Sequence, residues 1–147
     1  MKNKELKRIE YIYVYIKNQI MLCETKQAST KETAENIKLL LNKLKALLEE
    51  YNSKAERGEL PFVSDALIEC YKSAINFDND KVFVTEEDEN NFLNQIRGTI
   101  DALENEKMNV LTAYILLFII YNNNTTSINE NIQNKEKAKT IGALSLA

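Results

Sequence analysis

Asp78, Asp80 and Glu89 stand at the first, third and twelfth positions of a calcium-loop spacing, and carboxylates so placed could surround a divalent cation. The pattern fails at its centre. Val82 takes the place of an oxygen ligand, and Phe83 that of the glycine needed for the sharp turn. An ordinary acidic loop is therefore expected. No other stretch offers a ligand set. Histidine is absent, which removes the commonest metal ligand and general base and excludes a di-metal helical bundle of the Glu-x-x-His type. The two cysteines, Cys23 and Cys70, form no CxxC pair and have no zinc spacing. They read as buried free thiols. Neither has an imidazole to activate it as a nucleophile. Phosphate loops, nucleophile elbows and dinucleotide fingerprints are also missing. The sequence leads to a protein that is not an enzyme and holds no cofactor or metal.

Two charged clusters could meet a partner. Glu86, Glu87, Asp88 and Glu89 form an acidic run that could face a basic protein, although negative charge at the start of a helix is its more ordinary use. Lys2, Lys4, Lys7 and Arg8 lie beside Tyr11 and Tyr15 and could touch anionic lipid or nucleic acid. A solvated first turn is the plainer reading of that basic run. The net charge is −3, so general nucleic-acid binding is not expected.

The elements that must position these residues are helices. The chain has 147 residues, 44% hydrophobic and 28% charged, with three glycines and one proline. That is the size and balance of one globular domain with little material for β-turns. Leu6, Ile9, Tyr13, Ile16, Ile20 and Cys23 step by three and four, which predicts a helix over 3–24. The alternation of tyrosine with branched residues over 11–16 competes as a strand signal. Ser29 and Glu32 form a capping-box pair ahead of a second helix, seamed by Ala34, Ile37, Leu41, Leu44, Leu48, Tyr51 and Ala55 and stopped at Gly58. A shorter third helix should begin with Pro61 in its first turn and carry Val63, Leu67, Cys70 and Ala74 on one face. The fourth should start at Thr85 and run on through residues 109–121, NVLTAYILLFIIY, with a bend near Gly98 or over 105–109 as the variant. Residues 128–139 should form a weaker fifth helix, capped by Ser127 with Glu130, before a loose tail.

The expected fold is all-α, an up-and-down bundle of four main helices plus a weaker C-terminal helix. Its domain would cover 1–124, with 125–147 packed on it. The N-terminal basic run followed by an apolar stretch resembles a signal peptide, but Glu10 and Lys17 interrupt it. Residues 109–121 are too few to span a membrane, so a cytoplasmic protein is the default. The apolar excess around 11–16 and 109–121 points to protein–protein interaction, as an adaptor, regulator or inhibitor, with the partner a second protein or another copy in a homodimer or higher oligomer. Tyr11, Tyr15, Leu111, Ile115 and Phe118 are the contact candidates for that reading. Glu86, Glu87 and Glu89 are the candidates for a second reading, an acidic phage or mobile-element inhibitor of a nucleic-acid-handling protein. A third reading is a small-molecule binder with a cavity ringed by Tyr13, Tyr51 and Tyr114.

Overall fold

In a computed structural model, residues 3–61 and 64–128 are described, and they form five helices: α1 Lys4–Glu24, α2 Thr30–Glu56, α3 Asp65–Ile75, α4 Glu86–Glu104 and α5 Val110–Asn124. The competing strand signal over 11–16 loses to the helix that continues on both sides of it. Each helix opens on a side chain that accepts a hydrogen bond from the backbone N–H three residues on. The pairs are Asn3 with Leu6 at 2.8 Å, Ser29 with Glu32 at 3.1 Å, Ser64 with Leu67 at 3.2 Å, Thr85 with Asp88 at 3.1 Å and Asn109 with Thr112 at 2.8 Å. Caps of this kind contribute about 1 kcal/mol each. At Thr85 the box is reciprocal, because Asp88 accepts in turn from the Thr85 N–H.

Two expected boundaries move. The third helix starts at Asp65 and leaves Pro61 outside, because the Ser64 hydroxyl caps the later start. Val63 and the expected C-terminal helix beyond residue 128 lie outside the described residues. The expected continuous fourth helix is two helices. Glu106 takes φ 58°, in the left-handed region, and the Lys107 N–H reaches back to the Ala102 carbonyl at 2.9 Å. This is the same closing motif that ends α1 at Lys26 (φ 61°) and α2 at Gly58 (φ 76°). Only the last of the three uses the residue that adopts this conformation without strain.

The core is continuous through all five helices. α1 and α2 are antiparallel neighbours, tied near one end by Asn3 Nδ2 to Tyr51 Oη at 3.3 Å and near the other by Asn36 Nδ2 to Gln19 Oε1 at 3.1 Å. α5 packs against α3 and α4 and also touches α1 and α2. That setting explains why its sequence is apolar on every side. Ala113, Tyr114, Leu117, Phe118 and Tyr121 are buried, and Val110, Leu111, Ile115 and Ile120 are half-buried against the same core.

Two tyrosine hydroxyls on α5 carry long-range hydrogen bonds. Tyr114 Oη donates toward the Ile9 carbonyl at 2.6 Å and accepts from the Tyr13 N–H at 3.1 Å. Those two groups stand four residues apart, at the spacing of one helical hydrogen bond of α1. Tyr121 Oη donates to the Asp78 carbonyl at 2.7 Å, and its ring lies in a cluster with Phe77, Phe83 and Phe92. The connection between α3 and α4 is held further by the Lys38 ammonium on the Lys81 carbonyl at 2.8 Å. Val82 and Thr126 pair their backbones in an isolated antiparallel bridge.

Replacing Glu106 or Lys26 by Gly should relieve left-handed strain and raise unfolding stability by about 1 kcal/mol each, measured by chemical denaturation. A loss of stability in both variants would contradict the assigned helix ends. Burial raises the pKa of Tyr114 and Tyr121 above the ordinary tyrosine value. Unfolded tyrosines therefore ionise first, and folding stability that is complete below about pH 10 should fall as pH rises beyond it. The Cys70 thiol, pushed up to about 12 by burial, adds to the same slope. The double variant Tyr114→Phe with Tyr121→Phe should be less stable at neutral pH, by about 1–3 kcal/mol per lost hydroxyl. Its stability should also vary less between about pH 9 and pH 11. An unchanged alkaline slope would contradict the buried hydroxyls.

Candidate functional site

The residues singled out from the sequence divide into those the fold absorbs and those it presents. Phe118 is absorbed. It is 1% exposed and stands edge-on to Phe77 with ring centroids 5.7 Å apart. It cannot be a contact surface while the domain is folded, which corrects its place among the candidates. Leu111 and Ile115 are half-buried at the edge of the same core. Of the apolar run, Ile119 is exposed on α5.

Asp78 is occupied locally: its carboxylate accepts from the Asp80 N–H at 2.9 Å, and its carbonyl takes the Tyr121 hydroxyl. No group of three or more metal-ligating side chains is gathered among the described residues. Cys23 and Cys70 are both free, the first half-buried and the second buried. The raised pKa keeps Cys70 a thiol, without nucleophilic character.

The acidic run is built into the start of α4. Asp88 closes the capping box, Glu86 and Glu87 are exposed in the first turn, and Glu89 is half-buried. Desolvation raises the pKa of Glu89, with Lys31 opposing the shift. The three tyrosines expected to ring a cavity do not face a shared space as free groups. Tyr114 bonds to the α1 backbone and the Tyr51 hydroxyl accepts from Asn3, both side chains being buried, while Tyr13 packs half-buried against the core.

Tyr11 and Tyr15 are presented. They are 60% and 55% exposed, one turn apart on α1. Lys4 and Arg8 continue the same stripe at helical spacing, with Lys7 beside it. The antiparallel packing brings Lys43 and Leu47 of α2 alongside. Together these residues line a groove of about 280 Å³ whose apolar floor includes Ile12 and Leu47. Lys43 is the member that sequence reading missed. It looked like part of an ordinary charged helix face, and only the pairing of α1 with α2 places it opposite Tyr11.

The ion pairs set this groove apart. Lys17 with Glu104 at 2.5 Å and Arg97 with Glu24 at 2.6 Å close a second groove between α1 and α4. Lys38, Lys45, Lys54, Arg57 and Lys72 also have carboxylate partners. Among the described residues, Lys4, Lys7, Arg8 and Lys43 make no ion pair, and all four converge on the Tyr11–Tyr15 groove. Lys26, Lys31, Lys81 and Lys107, which also make none, stand apart from it, Lys81 in the α3–α4 connection and the others near helix ends.

No helix among the described residues is long and apolar enough to cross a membrane. No protein-family profile matches this chain, and neither a curated protein nor a solved structure is significantly similar to it.

Proposed function

We propose that the chain is a small protein-interaction module, an adaptor, regulator or inhibitor, that works through the outer face of its α1–α2 hairpin. The observation that carries this reading is the exposure of Tyr11 and Tyr15 on one stripe of α1, beside a groove with an apolar floor. Tyrosine and arginine are among the side chains that most often anchor protein interfaces, and tyrosine buries large area at a small entropic cost. Two adjacent exposed tyrosines contribute little to the fold, so their use is sought outside it.

The apolar run of residues 109–121 supports the reading less than the α1–α2 face does, because Ala113, Tyr114, Leu117, Phe118 and Tyr121 are buried in the core and Ile119 is its exposed apolar side chain. Self-association through that helix is the weaker form of the reading. The alternative of an acidic inhibitor acting through Glu86, Glu87 and Glu89 is weaker, since the α4 cap and dipole account for that charge. The alternative of a bundle-cavity binder is weaker because the Tyr114 and Tyr51 hydroxyls are engaged within the fold.

A photoreactive phenylalanine analogue placed at Tyr11 or Tyr15, in the cells that make this protein, should give discrete protein adducts. The same group at Ile119 should not. Adducts from Ile119 alone would move the function to α5, and none at any of the three positions would sink the proposal.

A further inference from the structure

Resting on the proposed use of the α1–α2 face, we infer that the partner segment is an acidic amphipathic helix from another protein, laid along the groove of Lys4, Lys7, Arg8, Tyr11, Tyr15 and Lys43. The first support is shape. The groove runs between two antiparallel helices, and its floor includes Ile12 and Leu47. A third helix fits such a depression by placing an apolar stripe on the floor. Tyr11 and Tyr15 form the wall on the α1 side. The second support is charge. The cations come from both helices, three from α1 and Lys43 from α2, so they flank the floor on either side. None has a carboxylate of this chain among the described residues, whereas seven other cations do. Carboxylates on both flanks of an incoming apolar stripe would complete those pairs, steer its approach and fix its register.

The same charge argues against two other occupants. A second copy docked symmetrically on this face would bring two sets of like charges together. A nucleic-acid strand would satisfy the four cations, but beyond the groove it would meet a chain of net charge −3.

The test uses the full chain and a labelled synthetic helix of about 14 residues with a leucine stripe flanked by glutamates. A lysine-flanked counterpart serves as the control. The glutamate peptide should bind, and the lysine peptide should not. Raising salt from about 50 to about 200 mM should weaken binding severalfold. Lys7→Glu with Arg8→Glu should weaken it about tenfold or more, and Tyr11→Ala with Tyr15→Ala by a similar factor. The melting temperature of each variant shows that the exposed changes leave the fold intact. Equal binding of both peptides, no binding of the glutamate peptide, or binding unchanged in both variants would overturn the inference. So would tighter binding of a dT oligonucleotide of about 12 nucleotides, or concentration-dependent dimers in light scattering that the tyrosine variant abolishes. Protein adducts at Tyr11 alongside failure of the glutamate peptide would leave the interaction role standing and remove only the acidic helix.

Discussion

A helix that is apolar on every side has to be surrounded, and α5 imposes that requirement on the rest of the chain. Leu117, Phe118 and Tyr121 need covering from several directions, and the connection from α3 to α4 supplies part of the cover through Phe77 and Phe83. Burial also sets the polar chemistry. A tyrosine hydroxyl enclosed in a core needs a partner, because leaving it unbonded costs about 1–3 kcal/mol. Tyr114 finds one on the α1 backbone and Tyr121 on the carbonyl of Asp78. The two hydroxyls thus fix where α1 and the α3–α4 connection can lie. The tyrosines that could be mistaken for ligand-binding groups become the groups that orient the fold.

Periodicity made the helices legible. In the two seams, Ile9, Ile16 and Ile20 of α1 and Ala34, Ile37, Leu41, Leu44, Leu48 and Tyr51 of α2 are buried. Leu6, Tyr13, Cys23 and Ala55 are half-buried against the same core, and Ile12, off the α1 seam, is buried too. Gly58 ends α2 in the left-handed conformation that its type suggested. The division between α4 and α5 was harder to read, because Glu106 performs a glycine's role without being one. Its strain is offset by backbone bonds that no residue type announces. The role of residues 109–121 was misleading for a different reason. A run of apolar side chains specifies burial but not the partner that buries it, and here the cover comes from helices of the same chain. The candidate groove was half legible: Tyr11 and Tyr15 were visible as an unexplained pair, while Lys43 became part of the site only through helix pairing.

The exposed charge has an organisation that composition conceals. A net charge of −3 describes a chain in which about half of the described cations are matched to neighbouring carboxylates. Of the described cations without such a match, Lys4, Lys7, Arg8 and Lys43 share one face of the α1–α2 hairpin, and Lys26, Lys31, Lys81 and Lys107 are dispersed. Surface ion pairs contribute little stability individually, typically about 0–1 kcal/mol, so the pairing matters less for the fold than for what it leaves uncompensated. The fold can tolerate four cations and two tyrosines facing water at little cost. That leaves this face free to change without disturbing the core.

The bond from Tyr114 to Ile9 spans 105 residues, and that separation has a temporal side. During synthesis α1 emerges first and can pair with α2 soon afterwards, since the connection between them is short. At about 5–20 residues per second, Ile9 then waits on the order of 5–20 s before Tyr114 leaves the ribosome. For that interval the side of α1 that meets α5 is without its cover, while Tyr11 and Tyr15 on the outer face are already in place. The nascent hairpin therefore carries two uncovered faces, of which the finished domain keeps one.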